Sequence, residues 1–163
     1  MTCLECGGKL TTARENYRYL ASGLPNVTLI GVEVRRCGTC GDYEVVIPRI
    51  EELHKVLAAA IVRSASRLNG QEVRFLRKHL GYSGVDFGKL IGVSSETVSR
   101  WENGKERMRP SAEKLLRLMV VHQQPIRNYP LETLARISAE SVPKPIGLRV
   151  ENDSWVEHAL VAA

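Results

Sequence analysis

The chain has 163 residues, 44% hydrophobic and 25% charged, the balance of a folded soluble protein and not of a disordered one. No apolar run reaches the roughly 18 residues of a membrane span, and Met1 leads into Thr2 and Cys3 with no basic or apolar leader. A cytoplasmic protein with reduced thiols is therefore expected, and four cysteines argue against disulfides there. The net charge of +5 is uneven: residues 1–47 balance five Lys/Arg with five Asp/Glu, whereas residues 70–124 carry ten against six. That excess is either a solvated basic surface or the place where a polyanion docks.

All four cysteines fall in two Cys-x-x-Cys pairs, Cys3/Cys6 and Cys37/Cys40. Two intervening residues let a tight turn aim both sulfurs at one ion, and Gly7, Gly8 and Gly41 offer the positive φ such a knuckle needs. Two knuckles complete a tetrahedral site of four sulfurs, the usual structural Zn2+ arrangement, one ion per chain; the same ligands would also hold iron as in rubredoxin. A redox dithiol needs one pair and not two. With no spare ligand, the ion is expected to fold the domain and not to catalyse. The thirty residues between the pairs read as a hairpin: one arm over 10–20, a turn over 22–26, the other arm over 27–36. In the second arm Leu29, Gly31, Glu33 and Arg35 alternate with Ile30, Val32, Val34 and Arg36. Residues 1–47 thus form a candidate four-cysteine domain.

Residues 48–69 read as a linker helix and hinge. Pro48 suits a first helical position, and Ile50, Leu53, Val56, Leu57, Ala60 and Ile61 follow at helical spacing to about residue 66. Leu68, Asn69 and Gly70 break the pattern and mark the hinge. His54, beside the apolar stripe, reads as a lone surface histidine.

Residues 70–122 read as a helical module. Asn69 and Glu72 have the spacing of a capping box for a helix of about ten residues that stops at Gly81. Ser83 caps a second helix over 85–91, Gly92 and Val93 make a tight turn, and Ser94 caps a third over 95–103, closed by Gly104. A further helix over 111–121 brings Leu115, Leu116, Leu118 and Met119 to the core. Two short helices around a glycine turn have helix-turn-helix geometry, the second lying in the DNA major groove. Phe87, Leu90, Val93, Val98 and Trp101 would face inward, leaving Ser95, Glu96, Thr97, Ser99 and Arg100 outward. Arginine pairs bidentately with guanine, which suits Arg100 to a base edge, while the loop cations Lys105, Arg107 and Arg109 suit phosphate. The candidate DNA-binding set is Ser83, Ser95, Glu96, Thr97, Ser99, Arg100, Asn103, Lys105, Arg107 and Arg109.

Leu76-Arg77, Gly81, Ser83, Gly92-Val93-Ser94, Val98-Ser99-Arg100 and Glu102-Asn103-Gly104 fall in the order and spacing of the Cro/repressor (XRE) family, which residues 71–119 resemble. The resemblance implies an ion pair between Arg77 and Glu102. Gly84 departs from the family's usual glutamine, and Gly88 from its usual alanine. The four-cysteine domain, helix and XRE module together, from residue 1 to about 122, resemble the MqsA-type (YgiT-type zinc finger) antitoxin family. That resemblance implies a zinc domain that binds a ribonuclease toxin, a C-terminal homodimer, and repression of its own operon from a palindromic operator. Family members read DNA from the positions of Glu96 and Arg100; the arginine is kept, while glutamate stands where asparagine is usual.

Residues 123–163 lie outside the resemblance. Pro125, Pro130, Pro143 and Pro145 interrupt them; a short helix over 131–138 and a strand over 146–150 are expected, and Trp155, Val156, Leu160 and Val161 would pack on a dimer or partner, or belong to a frayed tail. No Ser/His/Asp set, phosphate loop or open metal site can be assembled, and His54, His79, His122 and His158 stand singly, so no enzyme is expected. His79, near a helix end, reads as a surface residue. The expected fold class is α+β: a zinc-binding hairpin domain, a linker helix and an all-α XRE-type domain. The expected function is a DNA-binding antitoxin and repressor; the alternative is a free-standing zinc-containing XRE regulator with no toxin partner.

Overall fold

A computed structural model of the chain describes residues 1–123 and 142–160. Two antiparallel strands, β1 (Leu10–Arg18) and β2 (Val27–Cys37), are joined through a 3-10 turn, Leu20–Ser22. Unbroken alternation along β2 would put Leu29 and Val32 on opposite faces, yet both are buried. The reason is a bulge. Tyr17 pairs with Leu29 and Glu15 with Val32, so Ile30 and Gly31 stand opposite Asn16 alone, whose Oδ1 accepts from Gly31 N at 3.1 Å. The extra residue resets the phase, and Val27, Leu29, Val32 and Val34 all reach one core.

The other edge of β2 is shared by two strands placed end to end. β3 (Tyr43–Val46) runs antiparallel against Glu33 to Arg36. β4 (Ile146–Glu151) runs parallel against Val27 to Leu29 and turns into β5 (Ser154–His158). The strand expected over 146–150 is present, but it and its partner complete the N-terminal sheet. Trp155 therefore packs within its own chain: it is buried, and its indole N–H donates to the Pro48 carbonyl at 2.8 Å. The expected helix over 131–138, Pro125, Pro130 and Val161 lie outside the described residues.

Five helices follow the sheet's first three strands: α1 (Ile50–Arg63), α2 (Gly70–His79), α3 (Gly84–Ile91), α4 (Ser95–Glu102) and α5 (Pro110–Gln123). Pro48 is not the first helical residue of α1; Arg49 is its N-cap, with a left-handed φ of 45°. The helix ends at Arg63, three residues short of expectation, because Ser64 turns extended and its carbonyl is taken by Arg117. Asn69 and Glu72 form the capping box of α2, each side chain bonded to the other's backbone N–H at 2.9 Å.

The hinge expected at residues 68–70 is corrected by the packing. Leu68 is buried, its N–H donates to Glu113 Oε1 at 3.1 Å, and Arg67 binds both the Glu113 carboxylate and the Met108 carbonyl. Arg117 of α5 donates to the carbonyls of Val62, Ser64 and Ser66 at 3.0, 2.7 and 2.5 Å. The linker is thus bolted along its length to α5. Leu29, Leu57, Phe75, Leu116, Leu148 and Trp155 belong to one continuous buried cluster that runs from the sheet to the last helix.

Three side chains expected inside are outside: Leu90, Leu115 and Leu118 are 53%, 44% and 38% exposed. α3 and α5 each bury one narrow face, Phe87 in the first, Leu116 and Val120 in the second, and these three lie off it. The histidines err the other way. His54 is half-buried between Tyr19 and Phe75, with Tyr19 Oη 3.0 Å from its Nε2, and His79 stacks on Phe75 with ring centroids 6.2 Å apart.

Candidate metal centre and nucleic-acid interface

The two cysteine knuckles are built alike. In the first, Cys3 N–H donates to the Gly8 carbonyl at 2.8 Å and Gly7 N–H to the Cys3 carbonyl at 2.9 Å. In the second, Cys37 N–H donates to Asp42 at 2.8 Å and Gly41 N–H to Cys37 at 3.1 Å. Both turns close on a glycine with positive φ, 71° at Gly7 and 77° at Gly41, which a side chain would oppose. Gly8 serves differently from expectation: a Cβ there would lie 2.7 Å from Thr39 Oγ1 and 3.0 Å from Cys37 Sγ, so it is glycine for room between the knuckles.

β1 and β2 bring these turns together, and the four Sγ atoms lie within 4.8 Å of one another. Cys3 and Cys40 are 3.7 Å apart, Cys6 and Cys37 3.4 Å. Tetrahedral bonds of about 2.3 Å to one zinc put sulfurs about 3.8 Å apart, whereas a disulfide needs about 2.05 Å. The donor set therefore fits a single thiophilic ion. Backbone N–H groups of Cys40 and Thr39 favour the Cys37 thiolate and bring its pKa down to about 6. Cys3 and Cys37 are buried and Cys6 and Cys40 exposed, which leaves the site at the tip of the sheet.

In the helical module, Val98 and Trp101 anchor α4 in the core. Glu96, Ser99 and Arg100 are exposed on its outer side, and Ser95 and Thr97 are half-buried. The N-terminus of α4 is capped by Ser94, whose hydroxyl accepts from Thr97 N at 3.2 Å and lies 3.1 Å from Thr97 Oγ1. Glu96 is turned toward this cap: its own backbone N–H and the Ser94 hydroxyl hold its carboxyl below the usual carboxylate range, with Arg100 contributing less. Arg100 has Glu106 as its nearest carboxylate, 4.0 Å away across an exposed gap. Such a contact holds a side chain only weakly.

The other candidates divide by what they touch. Ser83 caps α3, accepting from Asp86 N at 3.0 Å and donating to its carboxylate at 2.6 Å. Asn103 donates to the Ser99 carbonyl at 2.9 Å and accepts from Arg74. Lys105, Arg107 and Arg109 are exposed on the loop to α5, and Lys105 and Arg109 have no carboxylate partner among the described residues. Gly88 sits under the turn: a Cβ there would be 2.7 Å from the Val93 carbonyl, so glycine lets this turn lie closer to α3 than alanine would.

Arg77 meets Glu102 with Nε at 2.5 Å and Nη2 at 3.2 Å, and its Nη1 donates to the Tyr82 carbonyl. Both side chains are about nine-tenths buried, so this is a strut inside the module. Sequence reasoning missed the second arm of the strut, Arg74, whose Nε lies 3.1 Å from Glu102 Oε2. It sits one turn before Arg77 on the same helix, a spacing that was legible. It also missed the Arg67, Glu113 and Arg117 cluster. Glu113 and Arg117 are four apart, but such a pair ordinarily reads as solvent-facing.

No helix among the described residues is long and apolar enough to cross a membrane. No curated protein matches the chain. Residues 73–125 match the Helix-turn-helix family model, which supports a DNA-binding helix-turn-helix in this part of the chain.

Proposed function

We propose that this chain is a sequence-specific transcriptional repressor, not an enzyme, that binds a palindromic operator as a homodimer and folds around one Zn2+ held by Cys3, Cys6, Cys37 and Cys40. The observation that carries the reading is the outer side of α4, where exposed Arg100 is backed by a helix that Trp101 and the Arg77–Glu102 strut hold rigid. Arg100 reads a guanine edge; Glu96, set back at the cap, accepts from cytosine or excludes a competing base. Lys105, Arg107 and Arg109 neutralise phosphate. Zinc serves the fold, joining the two knuckles as an S4 site does elsewhere.

Dimerisation follows from the need to read two half-sites about 34 Å apart. Leu116 and Val120 are buried in this chain's own core, so the exposed pair Leu115 and Leu118 of α5 forms the dimer contact. The resemblance to MqsA-type antitoxins supports a toxin protein bound by the N-terminal sheet. The free-standing regulator is favoured by a different observation: the sheet shares a continuous core with the DNA-binding helices, as a brace would. A toxin-like reading frame beside the gene, with its product co-purifying, selects the antitoxin; its absence selects the regulator.

Fluorescence anisotropy tests the DNA reading, with a duplex from upstream of the gene against a random duplex at two salt concentrations. Arg100→Ala is expected to cost about 1–3 kcal/mol on the specific duplex alone. Lys105→Gln is expected to weaken both duplexes alike and to lower the salt slope by about one. Equal losses on both duplexes for Arg100→Ala would overturn the assignment of this side chain to base reading.

A further inference from the structure

A cavity of about 420 Å³ opens where three elements meet: the turn after β1, α1 and α2. That is within the range of roughly 300–1,000 Å³ of small-molecule sites. Ser22 and Gly23 form one lip, His54 comes from α1, and Gln71, Arg74, Phe75, Lys78 and His79 come from α2. No acidic side chain lines it. None of the cysteines and no residue of α4 lines it.

One wall is a run of rings. His54 meets Phe75 edge-on at 5.8 Å, and Phe75 and His79 are parallel to within 6°; behind the wall, buried Tyr19 stacks on His54 with centroids 6.0 Å apart. Burial holds the His54 imidazole below its ordinary pKa, so at neutral pH this ring is uncharged. On the rim, Lys78 and Arg74 lie one helical turn apart and carry positive charge. Arg74 already donates to Glu102 and Asn103, at 3.1 and 2.9 Å. Lys78 is exposed and has no carboxylate partner among the described residues. An ammonium beside a wall of flat rings, with no acid lining the cavity to satisfy it, is complementary to an anion that carries a ring. A phosphate dianion would call for several converging donors, and one uncommitted ammonium does not supply them.

We propose that this cavity binds a small aromatic carboxylate, its ring on the His54–Phe75–His79 wall and its carboxylate on Lys78. The site stands apart from the DNA reading and holds whether or not α4 reads an operator. The full-length zinc-loaded protein is titrated with benzoate and followed by two-dimensional amide NMR, with benzyl alcohol, benzylamine and inorganic phosphate as parallel probes. Benzoate is expected to give saturable shifts at the Ser22, Gly23, Gln71 and Lys78 amides, benzyl alcohol weaker ones, and benzylamine and phosphate none there. Lys78→Gln, at an exposed position that does not threaten the fold, is expected to weaken benzoate about fivefold or more, and Lys78→Arg to keep it. The proposal is overturned by benzylamine or phosphate shifting these amides as strongly as benzoate. It is equally overturned by the absence of saturable shifts through the millimolar range, or by Lys78→Gln binding benzoate like the parent.

Discussion

Arg117→Met tests whether the sheet and the DNA-binding helices stand or fall as one unit. Arg117 is fully buried and donates to three carbonyls of residues 62–66 and, at 3.0 and 3.3 Å, to Glu113 Oε1. Methionine fills similar space but leaves those carbonyls without this donor and the buried Glu113 carboxylate with Arg67 and the Leu68 N–H alone. Removing one partner of a buried, hydrogen-bonded ion pair costs about 3–5 kcal/mol, a large part of the roughly 5–15 kcal/mol that holds a domain. Adding Glu113→Gln takes away the acceptor that Arg67 and the Leu68 N–H still share, and because both changes act in one network the two single losses are expected to depart from additivity by about 1–3 kcal/mol. Urea unfolding is followed in two single-tryptophan backgrounds, one keeping Trp101 of α4 and the other Trp155 of β5. Both signals are expected to move to the same lower midpoint. A loss under about 1 kcal/mol, or a Trp155 transition that stays in place while Trp101 shifts, refutes the reasoning and restores two separate cores.

Three further outcomes are expected. Burial raises the Glu72 carboxyl pKa above its unfolded value near 4.3, so its protonated form favours the fold at low pH and that contribution is lost as pH rises through the folded value. Glu72→Gln should therefore gain on the parent between pH 4 and neutrality in urea midpoints, and a difference that stays constant with pH counts against the burial argument. Metal analysis should find one zinc per chain, absent in Cys37→Ser, and chelation should change Trp155 emission because β4 hangs on β2; a protein purified without metal and with freely reactive thiols sinks this. Arg77→Ala should lower the melting temperature, by a stability loss of about 2 kcal/mol since Arg74 still reaches Glu102, while folded protein keeps its DNA affinity; unchanged melting with lost binding would reverse the role.

What could be read in advance was local. The Cys-x-x-Cys knuckles, the Asn69–Glu72 box, and the caps at Ser83 and Ser94 depend on residues within a few positions of each other, and each lies in its expected place. What escaped depends on distant partners. Nothing near Ile146 says that it will lie beside Val27, since a parallel pair 119 positions apart leaves no periodic trace. The phase of β2 failed at one bulge, because alternation is blind to an inserted residue. Arg67, Glu113 and Arg117 escape a sequence reading because charge is ordinarily a sign of surface, and only the packing of α5 against the end of α1 shows two arginines sharing one buried carboxylate.

A hinge at residues 68–70 would let the cysteine sheet and the helix-turn-helix act as independent grips, one on each partner. The packed junction makes them a single lever. The second knuckle ends β2, the far end of β2 holds β4, β5 rests on α1 through Arg63 and Glu157, and α1 is clasped by α5, which follows the loop after α4. Each contact in that series is a packed or hydrogen-bonded one, so a change at the sheet can reach α4 without any disordered link between. A partner that merely holds the sheet would leave DNA binding alone; one that strains it must also disturb the helices, and that difference is measurable in the two tryptophan signals.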